Sequence, residues 1–264
     1  MPRALRPDDP GGIYHVMNRG GAHRTIFHAA VDGRRFLDLI GQAAELHHVH
    51  VLAYCLMTNH YHLLVSCPDG GLSKFMHRVG SLYARHHNDR LGRDGPICRD
   101  RFRSLLIDSD AYLANAGRYI HRNPLDIRPQ PALDEYPWSS YRYYVTEAPA
   151  PPWLSTTELL EPFTNAAGYR SVVEGPVSGF PVDWAVDTAI LELGDGEPSG
   201  IKVRRTVLLA MLDRAGPEAA ARLAGRLTFT STRARAMATL RMRRALSEHP
   251  GVVAVVERAA ELAA

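Results

Sequence analysis

The sequence predicts an α+β fold, a ferredoxin-like β-α-β-β-α-β antiparallel sheet with one extra helix, followed by a small all-α C-terminal module. Three observations predict it. Apolar residues alternate in some segments and recur every three to four positions in others, the two periods of strand and helix. These segments follow one another in the split βαβ order. Beyond residue 200 the composition turns to Ala, Arg and Leu with few breakers.

Taken in order, Gly12 to Gly20 alternates Ile13, His15 and Met17 with Tyr14, Val16 and Asn18, and the turn signal Arg19-Gly20-Gly21 closes it. From Val31 to His48, Phe36, Leu39, Ile40, Ala43 and Leu46 recur at helical spacing. The apolar run Val49 to Met57, the pair Thr58-Asn59 and the segment His60 to Ser66 read as two strands joined by a tight turn. Leu72, Phe75, Met76, Val79, Leu82, Tyr83 and His86 mark a second helix. A Gly- and Arg-rich loop, Leu91 to Asp100, leads into a strand from Arg101 to Ile107. Ser109 is a suitable N-cap for the extra helix, which ends near Asn123 because Pro124 cannot continue it.

Three parts are expected: a catalytic domain at 1–146, an acidic Pro/Gly-rich connector at 147–200 and a helical module at 201–264. Trp153-Leu154 and Phe163 suggest that part of the connector packs down. In the module, Pro217–Ala224, Gly225, Thr228–Thr232 and Arg233–Leu246 read as helix, turn, helix. Its second helix carries Arg233, Arg235 and Arg241, suited to phosphate contact; a helical bundle with a solvated basic face fits the same pattern.

Length and composition set outer limits. A chain of 264 residues and 29.3 kDa holds one large domain or two modest ones. No apolar run approaches the roughly 18 residues of a membrane span, and MPRALRPDDPGG lacks the apolar core of a secretion signal. Cys55, Cys67 and Cys98 form no disulfide framework, so a cytoplasmic protein is expected. The net charge of +3 divides unevenly. Residues 1–150 hold 18 basic and 15 acidic side chains, residues 151–200 hold 1 and 8, and residues 201–264 hold 12 and 5. Twelve of the 13 histidines lie at or before His121, which points to a metal-using or catalytic N-terminal part and a basic C-terminal one.

Two constellations carry chemistry. In Asn59-His60-Tyr61-His62, period two puts both imidazoles on one strand face, where they can ligate one divalent ion; taken alone, they also fit histidines without a ligand role. In Tyr119-Ile120-His121-Arg122-Asn123, Tyr119 and Asn123 stand one above the other on a helix. An Asn oxygen suits Mg²⁺ or Mn²⁺, and a phenol beside that ion is a placed nucleophile; the other reading is a packing Tyr and a C-terminal cap. Tyr112, two turns earlier, lies on nearly the same stripe. Arg99, Arg101 and Arg103 alternate and would line one strand face, as a backbone track for single-stranded nucleic acid or as a solvated face. Trp138, Tyr141, Tyr143 and Tyr144 offer either base-stacking surfaces or core, while His15, Asn18 and Arg19 suggest only a positional role.

Met57-Thr-Asn-His-Tyr-His-Leu-Leu-Val65, Arg101-Phe102, Arg118-Tyr-Ile-His-Arg-Asn-Pro124 and Trp138-Ser-Ser-Tyr141, in this order, resemble the REP-associated tyrosine transposases over residues 10–145. These are single-tyrosine HUH transposases with an IS200-like catalytic domain, U being a hydrophobic residue between two metal histidines. The resemblance implies that His60, His62 and Asn123 hold a divalent ion, Mg²⁺ or Mn²⁺, and that Tyr119 is the nucleophile. It implies cleavage of single-stranded or hairpin DNA through a 5′-phosphotyrosine, release of a 3′-hydroxyl and rejoining, as in transposition. The expected protein is a monomer or homodimer. The general base stays unassigned, since His121, two places on, points away from Tyr119. Other readings are a catalytically retired transposase acting as a DNA-binding regulator, or a nuclease that uses water.

Overall fold

The computed structural model describes residues 8–129, 131–175, 182–193 and 250–263, with isolated positions between 207 and 246. The chain divides into two compact units, Met1–Gly175 and Pro176–Ala264.

The first unit is built on a four-stranded sheet of β1 (Gly12–Arg19), β2 (His50–Leu56), β3 (His60–Cys67) and β4 (Arg103–Ile107). Its order is β2-β3-β1-β4 and each neighbouring pair is antiparallel. Helices α1 (Ala30–His47) and α2 (Leu72–Leu91) share a core with one face, and α3 (Asp110–Arg122) packs on the other. The α+β class and the expected element order are those observed. β4 begins two residues later than expected. The Arg101 N–H is taken by the Asp100 carboxylate at 2.8 Å, and the Arg99 N–H reaches the Arg19 carbonyl at 3.1 Å, so the approach to β4 is bent.

Alternation along β1 assigns the two faces. Tyr14 and Val16 join Tyr61, Leu63 and Val65 of β3 in a core closed by Phe36, Leu39 and Ile40 of α1 and by Phe75 and Val79 of α2. Each such side chain contributes roughly 1.5–3 kcal/mol on burial. The α1 and α2 ends are tied by Asp32, a fully buried carboxylate that accepts from Arg90 Nε and Nη2 at 2.7 Å each and from the N–H of His28 and Ala29. Burial pushes its pKa up, but the hydrogen bonds from Ala29 and Arg90 prevail and hold it below the usual value.

β2 lies at the edge of the sheet, and a segment after α3 covers it. The Leu56 N–H donates to the Trp138 carbonyl at 2.8 Å, Ser140 N–H to Tyr54 O at 3.0 Å, and Tyr54 N–H to Ser140 Oγ at 2.9 Å. The edge is therefore paired rather than open. Trp138 also lies over Gly33 of α1, where an added Cβ would come within 2.6 Å of its ring. Tyr141 and Tyr144 are buried, so as base-stacking surfaces they are excluded.

Ser140 also reaches α3. His121 is fully buried, with Nε2 2.8 Å from Ser140 Oγ and Nδ1 2.6 Å from Tyr169 Oη. The Tyr169 hydroxyl donates to Nδ1, Nε2–H donates to Ser140, and the Ser140 hydroxyl has the Tyr54 carbonyl at 3.3 Å, so every proton has an acceptor. The Tyr141, Tyr144 and Tyr169 rings surround the imidazole at 5.0–5.7 Å between centroids. The Arg122 guanidinium donates to the Val173 carbonyl. Gly117 leaves room for Leu159, whose methyls would lie 2.7 Å from an added Cβ.

Tyr169 and Val173 belong to the helix Ala166–Glu174, within the stretch expected to be connector. Ser155 N–H donates to Val51 O at 2.9 Å, and Trp153 stacks over Gly41. Residues 147–175 are thus part of the first unit, and the break falls after Gly175 rather than after residue 146. The apolar anchors Trp153, Leu154 and Tyr169 are the physical reason, since each buries more surface than a solvated connector would.

In the second unit, helix Val182–Leu193 pairs with Pro250–Ala263 through buried Ala185, Val186, Ala189, Val252, Val255, Val256 and Ala259, and Arg258 meets Glu192 at 2.8 Å. The helix-turn-helix reading, with Arg233, Arg235 and Arg241, falls outside the described residues. Among the described residues, no helix is long and apolar enough to cross a membrane.

Burial lowers the His121 pKa to about 3. The unfolded chain takes up a proton near pH 6.5 that the folded protein refuses until about pH 3, so stability falls as pH drops through that window, by about 1.4 kcal/mol per unit. Between pH 7.5 and 5.0, urea unfolding of the wild type should lose about 2 kcal/mol more than that of His121→Gln. Parallel pH profiles for the two proteins would refute this.

Candidate active site

The β1–β3 register fixes one end of the site. Met17 lies opposite His62 and Arg19 opposite His60, so the odd-numbered residues of β1 share a face with both imidazoles. His15 is fully buried on that face, with its Nε2 2.9 Å from His62 Nδ1. The His60 and His62 rings stand edge to face at 5.2 Å. Tyr119 descends from α3, its ring 5.5 Å from His62 and 6.0 Å from His15, both edge-on.

Asn123 completes the cluster at the C-cap of α3, where Pro124 stops the helix and turns the chain into a short 3-10 segment. Its Nδ2 donates to the Tyr119 carbonyl at 3.0 Å, which aims Oδ1 at His60 Nε2, 3.4 Å away. On the other side of His60, Nδ1 lies 2.7 Å from Asn59 Oδ1, and Asn59 Nδ2 points to the His23 carbonyl at 3.4 Å. Both amides are thus oriented by their own donors. The short contact requires a proton on His60 Nδ1, which leaves a lone pair on Nε2 facing the lone pairs of Asn123 Oδ1. Two acceptors at that distance are reconciled by a cation between them or by a proton on the ring.

Two imidazoles and an amide oxygen form a mixed nitrogen–oxygen donor set that fits a divalent ion such as Mn²⁺ or Mg²⁺. Each histidine has its other ring nitrogen engaged by a neighbour, as ligating histidines usually do. Among the described residues, no group of three or more His, Cys, Asp and Glu side chains is placed to hold an ion; here the third donor is an amide.

The structure therefore gathers His60, His62, Tyr119 and Asn123. It leaves Tyr112 at the first turn of α3, its N–H on the Ser109 cap, while the ring contacts to His15 and His62 are those of Tyr119. His121 faces away, both nitrogens committed to Tyr169 and Ser140, so it is not the base for Tyr119. Of the three alternating arginines, Arg103 sits on β4 opposite Met17, on the site face, and Arg99 is tied to Arg19 through the backbone. Arg101 is exposed on the bent approach, so the three do not form one strand face. Arg19, whose sequence context suggests only a positional role, stands with them opposite His60. Burial first, then Arg19 and Arg99, depress the Arg103 pKa to about 10, partly offset by Asp100. These three guanidiniums feel one another beside the imidazoles.

Residues 11–123 match the model of the family described as "Transposase IS200 like". This bears out the resemblance read from the motifs and covers His15, Arg19, His60, His62, Tyr119 and Asn123. A solved REP-associated tyrosine transposase bound to a REP hairpin is similar to this chain, with a TM-score of 0.48 and 15% identity over 59% of this chain and 92% of that one. No curated protein sequence matches.

If the cluster holds an ion, Mn²⁺ at a hundred times its dissociation constant should raise the unfolding free energy by about 2.7 kcal/mol. Thermal unfolding with and without Mn²⁺ measures this, and His60→Ala and Asn123→Ala should each remove most of the shift. A Mn²⁺ shift that both variants retain would place the ion elsewhere.

Proposed function

We propose that the IS200-like transposase domain at residues 11–123 is a metal-dependent, single-tyrosine strand transferase that cuts and rejoins single-stranded or hairpin DNA. The observation that carries this reading is the convergence of the His60 and Asn123 acceptors beside His62, with the Tyr119 ring against the same imidazole.

The chain's residues divide the work by chemistry. A divalent ion held by His60, His62 and Asn123 would draw charge from the non-bridging oxygens of the scissile phosphate. Tyr119 Oη supplies the nucleophile: the phenol gives up its proton, an O–P bond forms, the P–O3′ bond breaks, and the leaving oxygen takes a proton to become a free 3′-hydroxyl. The product is a 5′-phosphotyrosine, and a 3′-hydroxyl attacking that phosphorus reverses the step and joins strands. Arg19, Arg99 and Arg103 supply cationic charge on the side where the DNA backbone would run. Their guanidiniums suit phosphate better than a point charge would, because each presents a planar fork of donors.

Incubation with a labelled single-stranded or hairpin oligonucleotide and Mn²⁺ should yield a covalent protein–DNA adduct that is lost on chelation and restored by added metal. Tyr119→Phe keeps the ring packing and should form no adduct, with strand cleavage reduced at least a hundredfold, as expected when a covalent nucleophile is removed. Hydrolysed ends that persist in Tyr119→Phe would establish water as nucleophile. Tight binding with no adduct under any metal would establish a regulator.

The arginine cluster gives an independent check by salt titration. Arg103→Ala and Arg19→Ala should each flatten the slope of log affinity against log salt by about 0.7 for a single strand. An unchanged slope would remove these residues from the DNA path.

A further inference from the structure

We infer that His15 is a positioning residue for His62: its Nε2 accepts the His62 Nδ1 proton and so leaves His62 Nε2 as the nitrogen with the electron pair. The inference rests on the reading of His62 as a metal ligand and adds to it a residue that sets the ligand's tautomer.

The 2.9 Å contact between His15 Nε2 and His62 Nδ1 holds one proton and has two arrangements. With the proton on His62 Nδ1, His62 Nε2 is bare and able to ligate, and the His15 proton sits on Nδ1. With the proton on His15 Nε2, His62 must carry its own proton on Nε2 and cannot ligate through it. Only the first arrangement is compatible with the cluster, so ion binding and the direction of this hydrogen bond are linked.

The surroundings of His15 argue against a purely structural role. It is fully buried, yet its Nδ1 has no hydrogen-bond partner. Among the buried histidines described in this unit, His121 has both nitrogens satisfied, whereas His87 has neither. An unsatisfied buried nitrogen costs stability, and an apolar side chain at this strand position would avoid that cost. What an apolar residue cannot do is accept the His62 proton. His15 is also too far inside to reach DNA, and it lies one strand over from the ligand it touches.

Mn²⁺ binding and metal-free stability separate the two roles. His15→Leu should weaken Mn²⁺ binding by about 10- to 100-fold, the usual effect of losing such a partner, without lowering the melting temperature of the metal-free protein. His15→Gln, whose amide can present an acceptor near the Nε2 position, should retain affinity within roughly threefold. In wild-type protein with Mg²⁺, long-range ¹H–¹⁵N spectra should show the His62 proton on Nδ1. Mn²⁺ affinity unchanged in His15→Leu, equal losses of affinity and stability in both variants, or a proton on His62 Nε2 with Mg²⁺ bound would each overturn the inference. Failure of the underlying reading looks different: His62→Ala would then bind Mn²⁺ as well as wild type does.

Discussion

The pairing of β1 with β3 is the constraint on which the site depends. Its register puts Met17 opposite His62 and Arg19 opposite His60. A slip of one residue would exchange the faces of β1, sending Tyr14 and Val16 toward α3 and His15 into the apolar core beneath α1 and α2. The register is held because Tyr14, Val16, Tyr61, Leu63 and Val65 all belong to that core. The same alternation that buries the even positions of β1 delivers His15 and Arg19 to the face where His60 and His62 stand. Core and site are two readings of one pattern, so neither can drift without the other.

The sheet supplies two of the four site residues, and α3 supplies the rest. Its position is over-determined from its far side: His121 is bonded to Ser140 and Tyr169, Arg122 reaches Val173, and Gly117 admits Leu159. Ser140 is the joint, since its hydroxyl also accepts the Tyr54 N–H at the edge of the sheet. Strand edge and helix are thereby linked through one oxygen, and the Trp138–Tyr141 segment is explained as a splice rather than a base-binding surface. The Tyr119 ring on a helix held this way is fixed against His62 and His15, so in the nucleophile role proposed for it little further ordering would remain for the reaction step.

Much of this was legible in the residues. Period two in Gly12–Gly20 and His60–Ser66, period 3.6 in the helices, the Ser109 cap and the Pro124 stop each act locally, and each element stands within a few residues of where it was expected. Spacing marks the pairs His60/His62 and Tyr119/Asn123 but leaves Tyr112 open, the family resemblance selects the four, and packing of α3 on the sheet brings the two segments together. What escaped was whatever depends on contacts distant in sequence. Tyr169, from a stretch read as connector, closes on His121 across 48 positions, and His15 meets His62 across 47. A lone His in a strand carries no sign of its partner. Its one local signal was a polar residue on the strand face opposite Tyr14 and Val16, with nothing to say what it faced. Arg101 failed for a different reason: alternation presumes extended backbone, and the Asp100 side chain bends the chain there.

The arginines show how the fold tolerates an arrangement that is unfavourable by itself. Arg103 is half-buried, and its affinity for a proton is reduced first by burial and then by Arg19 and Arg99, with Asp100 as partial relief. Like charges held this close lower the proton affinity of Arg103, and Asp100 offsets part of that repulsion. β-Strand pairing enforces the proximity, since Arg103 stands opposite Met17 in the β1–β4 register and the Arg99 N–H donates to the Arg19 carbonyl. Such a cluster lowers its energy when a polyanion arrives, because each phosphate relieves several repulsions at once and releases its counterions. With the DNA substrate proposed above, the same cations would favour the bound state, and the apolar core under α1 and α2 supplies the stability that makes the arrangement permissible.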